Sequence, residues 1–253
     1  MISVYDLGPS KIPESLGASP NDRKVIFTLN YKKLPYKIII ITMDDIESTA
    51  KSIGAPPTSK KSDGTPRYTV PFIHDSGTGK CISDSFRIAQ YLDEAYPETP
   101  KVLPAGTEIL QAAFIQIVEE KLTPIAEVYL PKVMELSSSE ALESRARKYG
   151  PIPPPLPAEE QGKTWEKLRV GYDGLKEAYE MGGYHNRDGE ERIFLMGDEP
   201  VFADLAFAAW IAMVKITWGD ESEEWKHASG WIDGRAGRLV DRVLRYERAS
   251  VGI

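Results

Sequence analysis

Apolar positions in the first hundred residues switch between a period of two and a period near 3.6, and each switch marks an element. Ile2 to Leu7 alternates around Val4 and Tyr5 and ends at Gly8-Pro9, the pattern of a strand followed by a break. After a polar loop from Ser10 to Ala18, Ser19-Pro20 opens a helix: serine can cap it, and proline at the first helical position gives up no hydrogen bond. Val25, Ile26 and Leu29 form its buried face, Lys32-Lys33 complement its C-terminal end, and Leu34-Pro35 stops it. Tyr36 to Thr42, with four consecutive isoleucines, reads as a strand buried on both faces beside a parallel partner. A short helix over Asp44 to Ile53 and a polar, Lys- and Ser-rich loop to Arg67 come next. Two strands joined by the turn Asp75-Ser76-Gly77-Thr78-Gly79 follow, then a helix from Ser85 to Tyr96 with Ile88, Ala89, Leu92 and Ala95 on one face. The expected order is βαβαββα.

Pro97 to Gly106, with three prolines and little that can pack, reads as an interdomain linker. Beyond it no strand pattern recurs, and an all-helical domain is expected. Thr107 to Leu136 carries Ile109, Ala112, Ala113, Ile117 and Val118 as apolar positions, with Pro124 and Pro131 expected to kink or break the helix. Ser137 to Tyr149 is polar and partly helical, Pro151 to Pro157 is extended, and Glu159 to Met181 is an amphipathic helix on Trp165, Leu168, Tyr172, Leu175 and Tyr179. Arg187-Asp188-Gly189 makes a turn. Phe202 to Trp218 is apolar nearly all round, as expected of a helix at the centre of a bundle. The last helix presents Arg235, Arg238, Arg242 and Arg245 to solvent, with Asp233, Asp241 and Glu247 between them. The expected domains are residues 1–97 and 107–253, joined by 98–106.

A chain of 253 residues can bury two modest cores. Its net charge of -7 argues against nucleic acid or an anionic membrane as partner and in favour of small polar or apolar ligands. No apolar run approaches the roughly 20 residues of a bilayer span, and the start has no basic stretch before an apolar one, so a cytoplasmic protein is expected. Cys81 is the single cysteine, which excludes an intrachain disulfide; His74, His185 and His227 are too far apart for a zinc motif, and no metal is expected. Gly77-Thr78-Gly79-Lys80 falls short of a phosphate-binding loop, which would need Gly at 74 and Ser or Thr at 81.

The candidate chemistry lies between Tyr68 and Ser85. Val70-Pro71 opens a strand with a residue that lacks an N–H; a cis bond there would turn the backbone of Val70 outward to pair with an extended ligand. Ser83-Asp84-Ser85 meets a helix N-terminus, whose free N–H groups and partial positive charge welcome a carboxylate. Together they describe a site for a small peptide acid; a strand-edge proline and an ordinary helix cap are the alternative reading. Val-Pro on one strand followed by Asp-Ser on the next helix resembles the glutathione site of the cytosolic glutathione transferases. The resemblance implies an α/β thioredoxin-like N-terminal domain and an all-α C-terminal bundle. It also implies Pro71 in cis, Val70 pairing with the cysteinyl backbone, and Asp84 and Ser85 holding the γ-glutamyl end. Leu195 to Asp204 resembles the same family's helix-capping signature, except that Val201 stands where Ser or Thr belongs, a loss of roughly 1 kcal/mol of capping.

Such an enzyme must lower a thiol pKa from roughly 8.5, and two units correspond to about 2.7 kcal/mol. A hydroxyl hydrogen bond plus the positive end of the first helix is of that size. Ser19 stands where that donor belongs, and Asn21 is the competing candidate. Ser19-Pro20-Asn21 resembles the start of helix one in serine-type transferases, bacterial β-etherases and fungal relatives of the yeast nitrogen-regulator prion. The Ile-rich second strand, the long loop before Pro71 and the Pro-rich helix connection resemble the fungal class A group. Serine at 19 cannot form a mixed disulfide, which disfavours the thiol exchange of cysteine-type members. The resemblance implies activation of glutathione as co-substrate, conjugation or binding of a hydrophobic aromatic small molecule, and a homodimer. Leu122, Ile125 and Tyr129 are candidates to line the apolar site, with core packing the alternative for each. A ligandin-type carrier with little turnover, and glutathione-dependent β-aryl ether cleavage, are the alternatives.

Overall fold

The computed structural model describes residues 1–13, 17–152, 154–183 and 191–246; Pro153, His185, the expected turn at Arg187-Asp188-Gly189 and Glu247 lie outside them. The chain begins β1 (Ile2–Leu7), α1 (Pro20–Tyr31), β2 (Tyr36–Ile41), α2 (Asp45–Ser52), β3 (Ser59–Lys60), β4 (Pro66–Arg67), β5 (Phe72–Asp75), β6 (Lys80–Ser83) and α3 (Ser85–Ala95). Strand order is β2-β1-β5-β6, with β1 parallel to β2 and antiparallel to β5, and β5 antiparallel to β6. The period of two sorts the strands between two apolar cores. Ile2, Val4 and Ile73 pack with Val25, Ile26 and Leu29 of α1 and Ile88 and Leu92 of α3, while Tyr5, Ile41 and Phe72 pack with Ile46 and Ala50 of α2. This is the thioredoxin-like arrangement expected of the first domain.

Three expectations change here. β2 lies at a sheet edge, so only Tyr36 and Ile41 are buried and the isoleucines between them are half-covered. The polar loop before Tyr68 contains the exposed two-residue hairpin β3–β4. α1 has no polar face: every residue from Pro20 to Tyr31 except Asn21 is buried. Its polar side chains must therefore find partners inside the protein. Lys32, expected to complement the C-terminal end of the helix, is buried and donates to Asp93 of α3 at 2.7 Å and to the Pro100 carbonyl at 2.9 Å. Val102 N–H donates to the same carboxylate, and Val102 is fully buried, so the proline-rich connection packs.

A second polar anchor holds the β5–β6 hairpin to α3. Asp75 accepts from the hydroxyls of Tyr91 and Tyr96, both at 2.6 Å, and from Gly77 N–H at 2.9 Å. Burial pushes the carboxyl up, but these three donors outweigh it and leave the Asp75 pKa below the ordinary value; burial and the carboxylate push Tyr91 up to about 12.

Beyond the connection come α4 (Glu108–Leu122), α5 (Ile125–Leu136), α6 (Ser139–Tyr149), α7 (Ala158–Met181), α8 (Phe202–Trp218), α9 (Glu223–Ser229) and α10 (Arg235–Val243). Compact units comprise Met1–Val102 with Leu136–Ile152 and Tyr246, and Leu103–Glu135 with Pro153–Arg245. The break after Val102 falls inside the expected linker, but α6 joins the first unit. Its polar contacts explain why apolar periodicity gave no hint of this: Ser144 Oγ accepts from Asp44 N–H at 2.8 Å, Arg147 pairs with Asp44 at 2.6 Å, and Ser138 N–H donates to the Pro9 carbonyl. Pro124 separates α4 from α5, whereas Pro131 is accommodated within α5.

In the second unit α8 is buried almost throughout, as its sequence requires. Phe207, Tyr172 and Trp231 stack in series at 5.5 and 4.6 Å, joining α8, α7 and the segment after α9. The expected face of α4 is displaced: Gln111, Val118 and Leu122 are buried while Ile109, Leu110 and Ile117 are exposed. The reason lies at the start of α8. Val201 offers no capping oxygen, and Gln111 supplies it instead: its Oε1 accepts from Ala203 N–H at 3.0 Å while its Nε2 donates to Thr107. Asp204 completes the other half of the box, accepting from Val201 and Leu195 N–H at 2.9 and 3.0 Å. Arg235 is likewise not on a solvated stripe; it is buried over the Tyr179 ring and donates to the Arg192 carbonyl. Among the described residues no helix is long and apolar enough to cross a membrane.

Two measurements check this cap. Gln111→Ala strands a buried N–H, so it should cost about 1–3 kcal/mol in denaturant unfolding. Burial raises the Asp204 carboxyl to about 7 against its two N–H donors and Arg235. With the folded pKa above the unfolded one, its contribution to stability is full below about pH 4 and falls as pH rises toward 7. Asp204→Asn should flatten the unfolding free energy over that window.

Candidate functional site

Register in the sheet gathers the candidate residues of the first unit at one end. Tyr5 of β1 pairs with Phe72 of β5, which pairs with Ser83 of β6. The chain that leaves β1 toward Ser19, the Val70-Pro71 step that enters β5, and the Asp84-Ser85 step that leaves β6 therefore share that end. The Val70–Pro71 bond is cis, as is Gly8–Pro9, which the sequence did not suggest. The last ladder pair is at Phe72, leaving the N–H and C=O of Val70 without a backbone partner among the described residues.

Asp84 caps α3: its Oδ1 accepts from Phe86 and Arg87 N–H at 3.0 and 3.1 Å. Its backbone sits at φ +80°, ψ 129°, a conformation that costs an L residue about 1–3 kcal/mol and is held here by its N–H donating to the Pro71 carbonyl at 3.2 Å. Asp84 Oδ2 and the Ser85 hydroxyl make no hydrogen bond within the described residues. An acceptor for an ammonium and a donor for a carboxylate thus stand together at the positive end of α3. The cap reading of Asp84 is correct, and it still leaves one carboxylate oxygen for a ligand.

Ser19 is the N-cap of α1, and its Oγ accepts from Asn21 N–H at 3.1 Å. Asn21 Oδ1 accepts from Lys24 Nζ at 2.8 Å, which turns the amide NH₂ the other way. The turn before Ser19 is clamped on both sides: Ala18 N–H donates to Asp6 Oδ2 at 2.8 Å, and Arg23 donates to the Gly17 carbonyl. Gly17 stands at φ +75°, where an added Cβ would lie 2.9 Å from Ile26, so glycine is required. Sequence reasoning missed Asp6, Asp22, Arg23 and Asp75, whose burial no periodicity reveals; an acid between Tyr5 and Leu7 in a mostly apolar strand was the signal available for Asp6. Leu122, Ile125 and Tyr129 are all buried in the second unit.

The family model described as glutathione S-transferase, C-terminal domain, matches residues 109–246, and the one described as glutathione S-transferase, N-terminal domain, matches residues 15–100. The chain belongs to the glutathione S-transferase family. Among solved structures it is similar to a glutathione S-transferase of Ceriporiopsis subvermispora in complex with glutathione, at 36% identity and TM-score 0.83 over 97% of both chains. It is also similar to glutathione transferase GSTFuA3 from Phanerochaete chrysosporium, at 32% identity and TM-score 0.85 over 99% of this chain and 98% of that one. The glutathione S-transferase-like protein ustS of Aspergillus flavus is 27% identical, with 92% of each chain covered.

If Asp84 and Ser85 hold the ligand's amino-acid end, Ser85→Ala should weaken glutathione binding by about 1 kcal/mol or more. Asp84→Asn, which keeps the cap oxygen, should also weaken it. Calorimetric affinities equal to wild type in both variants would place the ligand elsewhere.

Proposed function

We propose that the protein is a glutathione transferase in which Ser19 stabilises the thiolate of bound glutathione for conjugation to an apolar, aromatic acceptor. One observation carries this: the Ser19 oxygen already accepts from Asn21 N–H at the positive end of α1, so its hydroxyl enters a further bond as a donor, and a sulfur bound there is a fitting acceptor. Val70 would read the cysteinyl backbone, beside Pro71, with Asp84 and Ser85 at the γ-glutamyl end. Asn21, its oxygen committed to Lys24, is a second donor at the same helix end. The thiol proton leaves to solvent and the thiolate forms a C–S bond at the acceptor's electrophilic carbon; in displacement a leaving group departs with its electron pair, and in addition the adduct takes up a proton. Leu122, Ile125 and Tyr129 are buried within the second unit, which favours core packing over acceptor lining for each; similarity to GSTFuA3 supports a place in the fungal class A group.

Kinetics separate the parts. Ser19→Ala should raise the pKa of bound glutathione and cut conjugation at neutral pH by about ten-fold or more, with affinity nearly unchanged and the rate returning at alkaline pH. Asn21→Ala should do little. The reverse pattern makes Asn21 the donor. Tight binding of aromatic ligands with neither variant moving the thiol pKa would make the protein a carrier.

The homodimer reading is supported by the outer face of α4, where Ile109 and Leu110 are 84% and 73% exposed and Ile117 lies further along the helix. Apolar side chains so exposed favour burial against a second copy. Sedimentation should show a dimer for wild type and a monomer for Ile109→Asp/Ile117→Asp.

A further inference from the structure

Asp22 is the most anomalous side chain of the first unit. It is completely buried in the first turn of α1, and among the described residues neither carboxyl oxygen has a well-formed hydrogen bond, although the Ser19 hydroxyl and the Asp6 carboxyl lie within reach. The groups beside it are the Asp6 carboxyl, the Ser19 hydroxyl and Arg23. Arg23, whose guanidinium donates to the Gly17 carbonyl, is the charged side chain that acts on both acids. On α1 itself Lys24 is turned to Asn21, and β2 brings the uncharged Ile40.

Asp6 differs from its neighbour. Its two oxygens accept from Leu7 N–H at 2.7 Å and Ala18 N–H at 2.8 Å, so the ionised form is the one its surroundings bind. Two adjacent buried carboxylates cannot both be charged, and carboxylates as pure acceptors cannot bond each other. A proton on Asp22 resolves both difficulties, because it makes that side chain a donor toward Asp6. Burial and the Asp6 charge push Asp22 well above the ordinary carboxylate range.

The state of Asp22 matters for Ser19. The Ser19 oxygen already accepts from Asn21 N–H, so its one proton goes either inward to Asp22 or outward to a ligand. An ionised Asp22 would draw it inward; a neutral Asp22 that donates to Asp6 competes weakly for it. We infer that Asp6 and Asp22 share one proton and thereby act as positioning residues that keep the Ser19 hydroxyl proton available to the glutathione sulfur. This rests on Ser19 as the thiolate donor, proposed above. As pH rises through the pair's titration, the Ser19 proton turns inward and the bound thiolate loses its donor.

The experiment measures, by ultraviolet titration of the enzyme–glutathione complex, the pKa of the bound thiol in wild type, Ser19→Ala, Asp6→Asn, Asp22→Asn and Asp6→Asn/Asp22→Asn. Asp6→Asn removes one of the two influences that hold the proton on Asp22 and sets an amide donor beside it, so Asp22 ionises more readily and the thiol pKa should rise by about one pH unit. Asp22→Asn, neutral at every pH, should not raise it, and the double variant should return it toward wild type. That rescue separates a shared proton from mere structural support, under which the double variant would be no better than Asp6→Asn. The infrared difference spectrum of wild type minus Asp22→Asn at neutral pH, in which the Asp204 carboxyl cancels, should show a protonated-carboxyl band, a readout available even where Asp6→Asn folds poorly. A rise with Ser19→Ala but none with Asp6→Asn, or no carboxyl band, overturns the inference and leaves Ser19 as donor. No rise with Ser19→Ala overturns the donor assignment itself, and with it the link from the acid pair to the sulfur, whatever the infrared band shows.

Discussion

A carboxylate taken out of water must be met by donors or keep its proton, and the first unit is built around that constraint. Asp75 is met by two tyrosines and a backbone N–H, Asp93 by Lys32 and the Val102 N–H, and Asp6 by two backbone N–H groups. Each of these acids joins segments that the apolar core leaves free to move. Asp75 fixes the hairpin on the helix that carries Ser85. Asp93 seats the end of α1 and the proline-rich connection on α3. Asp6 sets the turn that delivers Ser19.

The candidate site inherits its geometry from these anchors. An open four-stranded sheet alone would bring Ser19, Val70 and Asp84 to one end but would leave loops with many conformations. A turn clamped through Asp6 and Arg23, with a glycine at positive φ between them, has one conformation. The strain at Asp84 is tolerated for the same reason: its N–H and one carboxylate oxygen are both engaged.

In the second unit the same rule appears as a substitution of parts. α8 lacks a hydroxyl cap, and Gln111, a residue of another helix, closes the gap. That exchange turns Gln111 inward and leaves Ile109 and Leu110 outside. Arg235 and Asp204 lie close enough to influence one another in the same interior, so an arginine counted with a solvated stripe belongs to the core.

Periodicity and local chemistry determined the elements. Ile2 to Leu7, Val25-Ile26-Leu29 and the apolar run from Phe202 specify strand or helix whatever surrounds them, because the burial of an alternating or helical face is written locally. Ser19-Pro20 and Asp84-Ser85 likewise mark helix starts, through hydrogen bonds that span two or three residues. Tertiary structure alone decided what joins distant residues. β2 became an edge, α6 joined the first unit through Asp44, Gln111 replaced a missing cap 92 positions away, and Asp6 met Asp22 across a turn. A polar side chain carries no period that announces its partner; which donor reaches which carboxylate depends on how the elements pack, and only the folded chain fixes that.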